Sequence, residues 1–267
     1  MISPEPLTSR DWRAVETTFL SNKKAPHAVL DGFLSDEACE RLRETLLSDH
    51  RWHFKHPDSN ELYLGAPGGE EIQAVSESLV RRLPTVLSGF QLIHHWAFLH
   101  CRSVGLKPHT DAAAVTVNLY LTPDEHNLAP AGNGGLVLST VRRPPPVSLV
   151  EFNSMPWADA YFEREHKDPD VRIGYRYNRA VLFDANLFHA SDQISFPDKP
   201  TRAMRMNLGL VFDDPASYES RRQTFLKRLG QAEALAARSG SELSAVRLDV
   251  AEDLWRASQE NESGDAG

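Results

Sequence analysis

Three residues stand out by type and placement: His109, Asp111 and the distant His189. In an extended segment, residues i and i+2 point to the same side. An imidazole and a carboxylate therefore project together from His109-Thr110-Asp111. His189 closes AVLFDANLFH, the end of a near-continuous apolar run. Two neutral imidazoles and one carboxylate on one face of a metal leave its remaining positions open, as in the facial triad of non-haem Fe(II). The chain has 11 histidines, so a His-x-Asp triplet alone is weak, and the neighbouring elements must decide the matter.

The run TRAMRMNLGLVF alternates. Met204, Met206, Leu208, Leu210 and Phe212 form one apolar face, and Arg205, Asn207, Gly209 and Val211 form the other. In a small barrel one face of each strand lines the lumen. An arginine there needs an anionic partner, and a ligand carboxylate gripped by two parallel N–H bonds is the natural one. Arg202 has the opposite parity and faces away. AAAVTVNLYLT alternates too, with Val115, Val117, Leu119 and Leu121 against Thr116, Asn118 and Tyr120. His109 and Asp111 share parity with the apolar set. A break at residues 112–114 must switch faces if Asn118 and Tyr120 are to join the site; without it they leave.

These residues need a scaffold, and the rest of the chain describes one. Between residues 90 and 212 lie short β-type runs separated by Gly, Pro, Asn and Asp clusters, with no βαβ rhythm. That pattern predicts a β-sandwich or barrel. Upstream, residues 28–89 read as helical support. Ser35 caps a helix carrying Ala38, Leu42 and Leu46, and a second helix spans Glu71 to Leu83 before Pro84. Residues 142–179 form a long insert with the hallmarks of a lid or binding loop, and the loop at 51–69 borders the same region. Asp214 and Pro215 start the C-terminal helices of residues 213–267. Leu243, Val246, Val250 and Leu254 make a last apolar stripe, and NESGDAG makes a disordered tail. The whole is expected to be one domain, mainly β with flanking α.

The composition is ordinary for a globular protein: 267 residues, 41% hydrophobic, 25% charged, formal net charge −8. The acidic balance argues against nucleic acid as a partner. No apolar run approaches a membrane span, and the first ten residues lack a secretory h-region. Two cysteines, Cys39 and Cys101, make no disulfide framework, which points to a reduced, cytoplasmic setting. GNGG (132–135) lacks the Lys-Ser/Thr of a phosphate loop. Glu163 and His166 form a single ExxH, where di-iron bundles need two. His94, Trp96, Phe98 and His100 share one strand face that borders the expected pocket. Arg172, Arg176 and Arg179 hint at an anionic group on a substrate.

Together these pieces resemble the Fe(II)- and 2-oxoglutarate-dependent oxygenases, in particular their prolyl-hydroxylase-like branch and its small-molecule relatives. FLSDEACERL, KPHTDAAAVTVNLYLTPDEHN, GGLVL, YRYNRAVLFDANLFHASD and RMNLGLVF occur in the family's order across roughly residues 28–212. The resemblance implies a double-stranded β-helix (jelly roll, cupin-like) with Fe(II) on His109, Asp111 and His189. It implies that Arg205 binds the far carboxylate of 2-oxoglutarate, assisted by Tyr120 and Asn118, with Arg202 as fallback and His100 near the cosubstrate. It implies use of O2 with release of succinate and CO2, and hydroxylation of a small or amino-acid-like molecule. Retention of Asp111 speaks against halogenation. A peptidyl hydroxylase with the same site and a cupin-like binding module without turnover are the other readings.

Overall fold

A computed structural model of the chain describes residues 5–55, 61–100, 105–144 and 158–264. Cys101, Pro145, Pro146 and Trp157, singled out above or within the insert, lie outside them. Among the described residues, ten strands form two facing sheets. They are β1 (His27–Leu30), β2 (His53–Phe54), β3 (Glu61–Gly65), β4 (Gln91–His100), β5 (Val115–Tyr120), β6 (Leu136–Arg142), β7 (Val171–Ile173), β8 (Ala180–Asp184), β9 (Leu187–Ser191) and β10 (Arg205–Asp213). The larger sheet has the order β1-β8-β5-β10-β4-β3-β2 and the smaller β7-β6-β9, with every pairing antiparallel.

Alternation assigns each face of the larger sheet. Met206, Leu208, Leu210 and Phe212 of the central strand β10 are buried in one core. That core is roofed by α1 (Trp12–Ser21), α2 (Asp36–Ser48) and α3 (Glu70–Arg82), through side chains including Phe19, Leu42, Leu46 and Leu79. Each such apolar side chain, fully withdrawn from water, contributes about 1.5–3 kcal/mol. The Ser35 hydroxyl accepts from the Ala38 amide at the start of α2, as its sequence predicts. The opposite face of the sheet looks inward. There Tyr120, Val181 and Phe183 meet Leu136, Leu138 and Ile173 of the smaller sheet.

The smaller sheet has its own cover. Val141 and Phe188 pack against α4 (Ala158–Glu165), α5 (Pro215–Arg238) and α6 (Leu248–Gly264). The described end of the 142–179 insert thus forms a helix in this outer layer. Asp214 caps α5 by accepting from the Ser217 amide, and Pro215 sits in its first turn.

Three details depart from the sequence pattern. The stripe Leu243–Leu254 is not one helix: Gly240, with φ of +74°, follows the end of α5, and α6 starts only at Leu248. Leu243, Val246 and Leu254 still pack together, while Val250 is exposed. α6 itself runs on to Gly264, into the stretch expected to be disordered. The 51–69 segment, read as a loop, contains strands: β2 pairs with β3, and β3 pairs with β4 at the sheet edge. Among the described residues no helix is long and apolar enough to cross a membrane.

Candidate metal centre

The His-x-Asp segment crosses between the sheets. His109 and His189 exchange both backbone hydrogen bonds, at 2.9 and 2.8 Å, which ties the segment to β9. The Asp111 amide donates to Ala185 O at 3.0 Å. A turn follows: Ala113 N bonds back to Asp111 O, and Ala114 N reaches Phe212 O of β10. From Val115 the chain runs as β5 in the larger sheet. This is the face-switching break that strand parity requires at residues 112–114. Because of it Thr116 and Asn118 line the same cavity as His109 and Asp111.

His189 comes to the site by another corner. β8 belongs to the larger sheet and β9 to the smaller, and only Ala185 and Asn186 separate them. Asp184 Oδ1 accepts from both the backbone and side-chain amides of Asn186, which closes the corner. Arg142 pairs with Asp184 beside it.

The three side chains converge. His109 Nε2 lies 3.9 Å from Asp111 Oδ1, His189 Nε2 lies 3.5 Å from Asp111 Oδ2, and the imidazole centroids are 4.3 Å apart. One ligand atom from each residue lies within 4.8 Å of the others. Both Nδ1 atoms face backbone carbonyls two residues back, Lys107 O at 2.7 Å and Leu187 O at 3.0 Å. An Nδ1–H donating there leaves each Nε2 with its lone pair toward the centre. Crowding by protein atoms, then the neighbouring His189, hold His109 below the usual imidazole range, so it is neutral at neutral pH. Thr116 Oγ1 donates to Asp111 Oδ2 at 2.7 Å and fixes the carboxylate.

Arg205 occupies the interior away from this mouth and is 2% exposed. Its guanidinium donates to Gly134 O (2.8 Å), Gly135 O (3.3 Å) and Asn207 Oδ1 (3.0 Å), all neutral acceptors. It lies over the Tyr120 ring at 5.0 Å and the Tyr175 ring at 5.8 Å. No carboxylate of the described residues comes within ion-pair distance of it. Among the described residues none hydrogen-bonds the buried Tyr120 hydroxyl, and burial pushes its pKa up to about 12. Asn207 Nδ2 donates to Asn118 Oδ1 at 3.0 Å, and His100 Nε2 is 3.3 Å from Asn207 Oδ1.

Other expectations fare differently. Arg202, the fallback, is exposed and paired with Glu44 of α2. Trp96 and Phe98 line the cavity and His100 touches its Asn207 wall, but His94 is exposed. Arg176 and Arg179 both pair with Asp31, and Arg172 pairs with Asp192, so none of the three lines the cavity. His166 bonds Asp170 on the surface.

The sequence assigned no role to two contributors. Asn207 shares the parity of Arg205, and that signal was sufficient to find it. Arg143 is buried, donates to Thr110 Oγ1 (3.0 Å), Asp111 O (2.8 Å) and Asn186 Oδ1 (2.5 Å), and so clamps both ligand-bearing segments. Nothing in its local sequence announces that role.

Neither family models nor curated protein sequences give a match to this chain. Solved structures do. The non-haem α-ketoglutarate-dependent carbocyclase SnoK of nogalamycin biosynthesis superposes with a TM-score of 0.54 at 14% identity, over 76% of this chain and 83% of SnoK. HygX from Streptomyces hygroscopicus, solved with nickel and 2-oxoglutarate, gives 0.51 at 10% identity over 78% and 88% of the two chains. AviO1 from Streptomyces viridochromogenes Tue57 gives 0.51 at 15% identity over 78% and 97%. Two facing antiparallel sheets with helices on their outer faces, closing around a cavity mouth that bears two histidines and an aspartate, give this chain the double-stranded β-helix fold of the non-haem 2-oxoglutarate-dependent oxygenases.

Proposed function

We propose that the chain is an Fe(II)- and 2-oxoglutarate-dependent dioxygenase that oxidises a small molecule, with hydroxylation as the default outcome and succinate and CO2 as coproducts. One observation carries this reading. A guanidinium is buried without an anionic partner among the described residues, in a cavity whose mouth holds three convergent metal-type side chains. Burying a lone charge costs several kcal/mol unless something compensates it. A dicarboxylate reaching inward from the metal is the compensating group that this arrangement fits. The unpartnered Tyr120 hydroxyl fits the same carboxylate.

The roles follow from the placement. His109, Asp111 and His189 hold Fe(II), the hard and borderline donor set suited to it. Thr116 and Arg143 fix the orientation of Asp111. Arg205 and Tyr120 grip the far carboxylate, and Asn118 is held at their flank by Asn207. When bound, the ion and the keto acid supply, with O2, the oxidising power that takes a hydrogen from a C–H bond. The protein contributes positioning and exclusion of water. Trp96, Phe98, Thr116 and Asn118 line the same cavity as the metal-type side chains, which places apolar and polar groups beside the centre. HygX has been solved with hygromycin B bound, which supports a small-molecule substrate for this chain as well.

Anaerobic addition of Fe(II) and 2-oxoglutarate tests the reading directly. The expected result is the weak visible charge-transfer band of a chelated keto acid, and succinate release once O2 is admitted. Tight zinc binding with no such band overturns it in favour of a binding module. Succinate release stimulated only by peptides moves the substrate to a polypeptide.

A further inference from the structure

The cavity wall beside the metal ligands is built around one indole. Gly65, Trp96, Gly209 and Asn118 are direct cross-strand neighbours on β3, β4, β10 and β5. Directly opposed residues share a face of the sheet, so all four look inward. Trp96 is the large side chain between two glycines. A Cβ at Gly209 would lie 2.8 Å from the indole Cε2 and 2.9 Å from Nε1. The indole therefore lies flat across the β10 backbone, where only glycine fits. Trp96 packs against the cluster of Val211, Ala113 and Ala185. It lines the same cavity as His109 and Asp111. Tyr63 lies in the same way over Gly65, with its ring 3.0 Å from a Cβ placed there.

The edge of this platform carries donors. Trp96 Nε1 and Asn118 Nδ2 make no hydrogen bond within the described residues. The amide orientation of Asn118 is set from behind, because its Oδ1 accepts from Asn207 Nδ2, whose own Oδ1 accepts from Arg205. The amide nitrogen of Asn118 is thereby the group left to meet a ligand. An aromatic face is electron-rich and attracts polarised C–H groups, while its edge N–H seeks an acceptor.

We infer that Trp96, lying over Gly209, is the substrate platform, and that the substrate is a saturated oxygenated ring of the sugar or cyclitol type. Its C–H face rests on the indole, and its ring or hydroxyl oxygens accept from Trp96 Nε1 and Asn118 Nδ2. This rests on the oxygenase reading for the chemistry performed, though not for the binding itself. A proline ring in a peptide offers a C–H face but no ring or hydroxyl oxygen to accept from these donors. An aromatic ring offers the face without the oxygens.

Saturation-transfer NMR on protein loaded with Zn(II) and 2-oxoglutarate tests the platform without turnover. The probes are a panel of methyl glycosides and inositols, with benzamide and a proline-containing hexapeptide for comparison. Wild-type protein is expected to transfer saturation to one face of at least one ring probe. W96A and G209A should weaken that binding about tenfold, the equivalent of losing one stacked aromatic face. W96F should keep part of it. In both W96A and G209A the Fe(II)/2-oxoglutarate band should persist, showing an intact metal site. Equal ring binding in W96A, preference for benzamide or the peptide, or no ring probe bound by wild type overturns the inference. Absence of the band in wild-type protein is instead the failure of the oxygenase reading, and the ring-binding result stands apart from it.

Discussion

Replacing Arg205 by methionine separates what the guanidinium does for the cosubstrate from what it does for the fold. Methionine keeps much of the volume and removes the charge. Three hydrogen bonds disappear, but their loss is uneven. Gly135 O still accepts from the Asp192 amide, and Asn207 Oδ1 still has His100 Nε2 beside it. Only Gly134 O, at 2.8 Å from Nε, loses the bond described for it. One orphaned buried acceptor costs about 1–3 kcal/mol. Against this stands relief of a buried unpaired cation, of the order of several kcal/mol. The ligand-free variant should therefore melt at or above the wild-type temperature. Binding should move the other way. Breaking a buried charge pair costs about 3–5 kcal/mol, which raises the Kd for 2-oxoglutarate by about two to nearly four orders of magnitude. With ligand at 100 times the wild-type Kd, the wild type gains about 2.7 kcal/mol of stability and the variant less than about 0.4. Calorimetric titration on the metal-loaded protein and thermal melts with and without 2-oxoglutarate read both quantities. An unchanged Kd refutes the assignment. So does a ligand-free variant destabilised well beyond the one lost carbonyl bond, since Arg205 would then be structural.

Alanine at His109 or His189 should abolish iron retention, measured by metal content after gel filtration; a variant that still turns over removes that residue from the ligand set. Thr116→Val loses the 2.7 Å bond to Asp111 and should weaken Fe(II) binding about 10–100-fold with little change in fold, checked by competition with a chelator. Leu208→Ala, in the fully buried face of β10, should cost about 2–5 kcal/mol in urea unfolding. Cys39 is buried, and its thiol is pushed up to about 11 by that burial, so an alkylating reagent at pH 8 should leave it unmodified until the chain unfolds, as read by peptide mass mapping.

Strand parity was the strongest signal in this sequence, and its reach can be traced residue by residue. It separated Arg205 from Arg202, since a period of two assigns faces without reference to anything distant. It also required a break before β5, and the turn at residues 112–114 supplies it. Helix signals with a local cause, such as the Ser35 and Asp214 caps, were equally readable. What escaped was set by contacts between remote segments. Arg176 and Arg179 pair with Asp31, more than a hundred residues away, so their charge in a flat sequence suggested a ligand where there is a salt bridge. Arg143 reaches a backbone carbonyl and two short polar side chains, partners that no composition rule marks. The stripe from Leu243 to Leu254 has helical spacing, yet a left-handed glycine at 240 and a late helix start make it two packed pieces.

On the proposed reading, the charges lining the cavity suit a dianion once a metal is bound. Asp111 and Arg205 are the buried charged side chains that line the cavity, and Arg143 backs the ligand loop. Burial lowers the Arg143 pKa to about 10 and lowers that of Arg205 as well, and a guanidinium keeps its charge near neutral pH. Before a metal binds, one carboxylate and one guanidinium, Asp111 and Arg205, line the cavity together with the two histidines. A divalent ion on His109, Asp111 and His189 adds two positive charges that these side chains leave unmatched. A dicarboxylate restores the balance with one charge beside the metal and the other on Arg205. A monocarboxylate satisfies only one end, and the other stays buried and unpaired at a cost of several kcal/mol. On the proposed reading, metal and cosubstrate should therefore bind with positive coupling, and by linkage each raises the affinity of the other by the same factor.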